Sequence, residues 1–319
     1  MTGSSSVSVV VTVAPEDLAP SGARALLRTV RRDRAALAGL VIVSVLILVA
    51  AAAPLLTALE GQDPNAYHDD LLNSALGGVP LGPFGGAGSA HWLGVEPGTG
   101  RDVFARIVYG ARVSLGVSVG ATLGQLLLGV GTGLAAGLGG RWADAVLSRA
   151  VDLVLAFPFL VFAIALLAIV PGSFPRPVLL VLVMAVLGWG GVARITRGQA
   201  LSLRTRDYVA AARLGGSGPG RIARREILPG LAGPVITYAA LLLPANMVAE
   251  AGLSFLGIGV RPPTASWGQM LSSATTWYYA DPTYVIVPCV VLVVSVLGFT
   301  LLGEGLRKAL DPRDPTARD

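Results

Sequence analysis

Few residues in this chain are suited to catalytic chemistry. It holds two histidines, His68 and His91, one cysteine, Cys289, and one lysine, Lys308. A lone cysteine forms no internal disulfide and no cysteine-based zinc site, and two histidines exclude a multi-histidine metal centre. Lys308 stands between Arg307 and Ala309, so the phosphate-cradling pattern G-x-x-x-x-G-K-[ST] has no place here. HExxH and CxxC are absent, and no nucleophile elbow is read. No catalytic, cofactor-binding or metal-binding residue is assigned, so any work the protein does must draw on energy from elsewhere. Two features still suggest function. Glu250 is a carboxylate at the edge of an apolar run, a candidate pathway or gate residue. The segment Asp207 to Gly230 reads DYVAAARLGGSGPGRIARREILPG. An acid, three alanines and the breaker pair Gly215-Gly216 predict a short helix over Asp207 to Leu214. Ser217 to Gly220 then predict a turn, and Arg221 to Leu228 the start of a second helix. A helix with small residues on its outer face fits a partner's groove better than it builds a core. A solvated basic loop that only sets topology is the alternative from spacing alone.

The elements that must carry these residues follow from composition. Charged residues make up 13% of the 319 residues and hydrophobic residues 53%, with mean hydropathy +0.69. A soluble domain carries about 25% charge, and a disordered chain needs low hydrophobicity, so both classes are excluded. A membrane-spanning helix needs about 20 apolar residues. Six charge-free stretches qualify: Ala35 to Leu59, Val113 to Gly140, Leu153 to Pro175, Pro177 to Ala193, Ile227 to Ala249 and Pro282 to Gly303. The fourth is short and extends through Arg194, whose side chain snorkels. Leu71 to Val95 and Pro262 to Ala280 are also uncharged, but rich in Gly, Pro, Ser and Thr; irregular backbone is not tolerated in lipid, so both are expected outside it. Ala251 to Val260 is too short to span and reads as an interfacial or re-entrant piece.

Six spans place both termini on one side. With the N-terminus cytoplasmic, nineteen of the 24 Lys and Arg residues fall on cytoplasmic segments and five outside, which orients the chain N-in and C-in. The basic pI near 9.8 is then topological and does not point to nucleic acid. The segments read as a cytoplasmic tail 1–34, a first span 35–59 acting as an uncleaved anchor, an extracytoplasmic loop 60–112, a core 113–306 and a cytoplasmic tail 307–319. Arg24 to Arg34 is expected to form a short basic helix at the headgroups. Val103, Ile107 and Tyr109 to Ala111 are spaced as an amphipathic lead-in to span two. The glycine ladders Gly116, Gly120, Gly124 and Gly129, Gly133, Gly137 predict close helix packing. Pro158 is expected to kink span three. Glu304 is read as an interfacial anchor.

The loop 194–226 and its neighbours resemble a known family. The pattern E-A-A-x3-G followed by L-P is matched by Ala210, Ala211, Ala212, Gly216 and Leu228-Pro229, with Ala210 where the family has Glu. Further matching strings are HWLGVEPGTGRDVFARIVYGAR, GGRWADAVLSRAVDLVLAFPFL, AEAGLSFLGIGVRPPTASWGQML and LLGEGLRKALDPR. Together they resemble the C-type permease subunit of bacterial dipeptide, oligopeptide and nickel importers of the ABC class. The resemblance implies an all-α membrane protein with six transmembrane helices and the type I importer permease fold. It also implies a second homologous permease as heterodimer partner, two ATP-binding subunits that hold ATP and Mg, and an extracytoplasmic substrate-binding protein. Asp207, Tyr208, Ala210, Ala211, Ala212, Arg213, Gly216, Leu228 and Pro229 would form the ATPase-coupling loop, and di- or oligopeptides would be the cargo. The alternatives are a nickel-chelate or other small cargo, an exporter permease, and an ATP-independent scaffold or channel.

Overall fold

The computed structural model describes residues 33–310. The expected headgroup helix over residues 24–34 lies almost wholly outside the described residues. The first pass is built from α1 (Arg34–Ala51) and α2 (Ala53–Glu60). Asp33 caps α1 by accepting from the Ala35 and Ala36 amides, and Lys308 donates to its other oxygen at 2.8 Å. The Lys308 hydrogen bond and then the two amides hold the Asp33 carboxyl below the usual carboxylate range. After a cap of turns come α3 (Val103–Leu138), α4 (Gly140–Ala156), α5 (Phe159–Ile169) and α6 (Arg176–Leu203). The short α7 (Asp207–Leu214) precedes α8 (Pro219–Phe255), whose second turn widens to a π-helix over Ala223–Ile227. Another short helix, α9 (Trp267–Ala274), leads to α10 (Pro282–Leu310).

Among the described residues, five helices are long and apolar enough to cross a membrane, and α4 with α5 makes a sixth pass if the bent pair counts as one. The third expected span therefore differs from a kinked helix. Phe157 and Pro158 leave helical geometry, and the two segments meet at 87°. Proline lacks an amide hydrogen, and its ring disfavours helical geometry in the residue before it; α5 alone is about 16 Å long at helical rise. The second span begins earlier than its charge-free run. Asp102 accepts from the Ala105 amide at 2.6 Å, and the expected lead-in is the start of α3 itself.

The two uncharged loop stretches contain no spanning helix. Within Leu71 to Val95 the backbone makes short 3-10 turns and an antiparallel ribbon pairing Leu72–Asn73 with Val79–Pro80. Tight turns there demand glycine: at Gly94, φ is +78° and an added Cβ would sit 2.4 Å from the Gly85 carbonyl oxygen. Within Pro262 to Ala280 the chain does form a helix, α9, which loop-like composition did not foresee. The first half of Ala251 to Val260 completes α8, and the remainder turns at Gly257.

Both glycine ladders lie on α3, and five of the six glycines face α6. Added Cβ atoms at Gly124, Gly129 and Gly133 would stand 2.6, 2.3 and 2.6 Å from Ala185, Val192 and Ala193. Gly116 faces open space. Small residues let two backbones approach where dispersion, rather than expulsion of water, holds helices together. The sequence holds one string of the form G-x-S-x-G, Gly116 to Gly120, which the sequence reading did not register. It is helical throughout, and Ser118 donates to the Ser114 carbonyl at 2.7 Å, so it forms no strained elbow.

Candidate functional site

At one end of the bundle, the chain between α6 and α8 forms the α7 helix-turn. Val209 is fully buried and packs with Ala200, Ile222, Ile227 and Leu231. This single apolar anchor orients the helix, because residues three and four apart share a face. The opposite face carries Asp207, Ala210, Ala211 and Leu214, all exposed, with Leu214 at 91%. Tyr208 is 45% exposed beside them. Ala212 is half-buried on the anchored side and Arg213 is exposed.

The end of α7 is fixed by backbone geometry. Ser217 N–H donates to the Ala212 carbonyl and Gly216 N–H to the Arg213 carbonyl, both at 3.0 Å. This is the paired bonding of a glycine C-cap. Gly216 has φ +79°, and an added Cβ would meet nothing within 4 Å. The constraint at Gly216 is therefore conformational, with open space around it. Leu228 and Pro229 follow the π-turn at the start of the regular part of α8. Arg204 donates to the Gly137 carbonyl at 3.0 Å, Arg197 to Asp144 at 2.8 Å and Arg194 to Asp152 at 3.1 Å. Three of the loop's arginines thus brace α6 against the end of α3 and against α4.

Glu250 lies elsewhere, in α8 near the opposite end of the bundle. It was expected at an easily solvated span edge. Instead it is fully buried, with Ser254 donating to its Oε1 at 2.8 Å and Ser114 and Ser266 against it. A carboxylate among three hydroxyls ties α8 to α3 and to the start of α9. Glu304 is exposed on α10.

Two polar clusters were missed. Gln125 and Asn246 are the only amide side chains in the six apolar stretches, and they bond to each other at 2.9 and 3.0 Å. Asn246 also donates to Thr122, and Gln125 to the Met184 carbonyl, joining α3, α6 and α8. Gly188 leaves the room that Gln125 occupies. The signal is present in the sequence, since uncharged polar groups in lipid also demand partners. The second cluster centres on Arg106, fully buried, which donates to Gln269 at 2.7 Å and to the carbonyls of Pro64 and Pro263. Beside it Arg101 pairs with Glu96 at 2.6 Å, and Tyr284 donates to Glu96.

Residues 129–313 match the family of binding-protein-dependent transport system inner membrane components, and residues 23–75 match the N-terminal TM domain of oligopeptide transport permease C. The chain belongs to this transport family. The permease component is 36% identical to the dipeptide transport system permease protein DppC of Alkalihalophilus pseudofirmus, over 94% of this chain and 93% of that one. It is 34% identical to the oligopeptide transport system permease protein OppC of Escherichia coli, over 90% of each. Its fold matches that of an inward-facing MetNI methionine ABC transporter chain, with TM-score 0.52 and 19% identity, covering 65% of this chain and 97% of that one. The permease is therefore a multi-pass, all-α membrane protein with the type I importer fold. It is a transport subunit, and the scaffold, channel and exporter readings fall away.

Proposed function

We propose that this permease forms half of an ATP-driven importer for di- and oligopeptides, paired with a second, homologous permease. Two ATP-binding subunits holding ATP and Mg dock on α7, and an extracytoplasmic binding protein delivers cargo to the opposite face. The observation that carries the docking role is the division of α7 into one buried anchor, Val209, and an exposed face of Ala210, Ala211 and Leu214. A partner groove covering that face removes apolar surface from water, worth about 25 cal/mol per Å². Asp207, Tyr208, Arg213, Gly216, Leu228 and Pro229 shape the docking surface and its exit turn. In this reading both termini are cytoplasmic, residues 61–102 and 256–281 meet the binding protein, and ATP-driven closure of the ATPases moves α7 as a rigid handle. Peptide cargo rests on the named relatives; a nickel chelate is the other cargo that the sequence resemblance admits. Glu250, enclosed by serines, is assigned to joining the helices that must move together.

Purification of the complex in mild detergent tests the reading. Wild type should bring down a second permease, P-loop ATPases and a solute-binding protein that binds peptides. Leu214→Asp should lose the ATPases and uptake while membrane insertion is unchanged. Recovery of the wild-type chain without any ATPase would overturn the docking role, and a binding protein that takes nickel chelates and no peptide would overturn the cargo.

A further inference from the structure

The turn-rich cap holds a second cluster of titratable groups, well away from α7. Glu60, the last residue of α2, is buried, and its Oε1 accepts the Trp92 amide at 2.8 Å. Its Oε2 has no donor among the described residues. The Asp102 carboxyl interacts with that of Glu60. Asp102 is fully buried and already receives two donors, the Ala105 amide at 2.6 Å and His91 Nδ1 at 2.8 Å. The His91 ring is buried against His68, with ring centroids 5.2 Å apart. The nearest arginines are turned elsewhere: Arg101 pairs with Glu96, and Arg106 is spent on Gln269, Glu96 and two carbonyls. Two buried carboxyl groups therefore share this corner with one imidazole, and among the described residues no guanidinium bonds either of them.

Two interacting carboxylates are not both retained as charges in a dry site. Asp102 already accepts from an amide and an imidazole. Glu60 is left with an uncommitted oxygen beside that acceptor, which is where a proton completes a hydrogen bond. We propose that Glu60, Asp102 and His91 form a proton-operated clasp, which holds the end of the first pass against the start of α3 when Glu60 is protonated and loosens when it ionises. The clasp acts on the fold because each member belongs to a different piece: Glu60 ends α2, His91 and Trp92 lie in the cap, and Asp102 caps α3. Gln62 adds a fourth tie to the Ala90 carbonyl at 3.1 Å.

Burial, then the Asp102 charge, raise Glu60 to about 7, opposed by the Trp92 amide and His91. A raised value means that the closed form binds the extra proton. The closed state is favoured at acidic pH and loses that advantage as pH climbs from the ordinary carboxylate range to about 7. Over that climb one-proton linkage increases opening up to about tenfold per pH unit, and above about 7, where Glu60 is ionised in both forms, the dependence levels off. The inference is independent of the cargo and of which way the chain faces, because both faces of a nanodisc see the same pH.

Hydrogen exchange of the full chain in lipid nanodiscs tests it, with rates corrected for intrinsic base catalysis. Residues 88–95, which include the Trp92 amide, should open up to about tenfold more per pH unit as pH rises from about 5 to about 7 and level off above it, while α9 stays flat. Glu60→Gln keeps both bonds, its carbonyl accepting from Trp92 and its amide donating to Asp102, and should abolish the pH dependence. Infrared difference spectra of wild type should show a carboxylic-acid C=O band titrating near neutrality and absent in E60Q. A flat wild-type profile, an equal slope in E60Q, or no such band would each overturn the clasp.

Discussion

Two helices of eight residues each, α7 and α9, sit between spanning helices at opposite ends of the bundle. They are alike in length but not in burial. In α9, Trp267, Met270 and Ala274 are fully enclosed and Gln269 nearly so, while α7 buries Val209 alone. The indole N–H of Trp267 bonds the Ile107 carbonyl at 3.1 Å; the last residue of α9, Ala274, is enclosed, whereas the last of α7, Leu214, faces solvent. Helix α9 is a wedge of the fold. Helix α7 is held out on one anchor, which is what a surface kept for a partner requires.

Substitutions can break that contrast. Trp267→Ala should lower stability the most, by about 3–5 kcal/mol, seen as loss of the monodisperse peak in fluorescence-detected size exclusion. Arg106→Met should follow, at about 3 kcal/mol, because it strands Glu96, Gln269 and two carbonyls; thermal unfolding in detergent reads it. Gly216→Ala should cost about 1–2 kcal/mol of local helix-turn order through its left-handed backbone, and should reduce uptake more than it reduces Tm. Asn246→Leu should cost about 1 kcal/mol, and a double-mutant cycle with Gln125→Leu should return a coupling of about 0.6 kcal/mol. Leu214→Asp should change stability least, within about 0.5 kcal/mol, and yet abolish transport. A Leu214 variant as unstable as the Trp267 variant would erase the distinction between wedge and docking surface.

The same pair shows what could be read from the residues alone. Helix α7 was legible to its boundaries because its start, alanine run and Gly-Gly stop are local signals. Helix α9 was not, because its polar composition resembles a loop and its burial depends on partners such as Ile107, 160 positions away. The spans were visible as charge-free runs and Pro158 as a kink, but neither shows that the chain turns by 87° there, nor that the helix before it starts at Gly140 among charged residues. Glu250 was judged by its place at a run's edge. Only the arrival of Ser114 and Ser266 from other segments reveals that this edge is interior. Gln125 and Asn246 stood in plain sight within their stretches, and would have been noticed by asking which uncharged groups still need partners.

The seam between α3 and α6 also constrains how the protein can move. Where a single methyl at Gly129 would collide with Val192, neither a lipid chain nor a file of water can enter. Packed surfaces of this kind shift between discrete fits and do not stretch. In the proposed transport cycle α3 and α6 therefore swing as one two-helix lever, and α7, attached at the end of α6, serves as its handle.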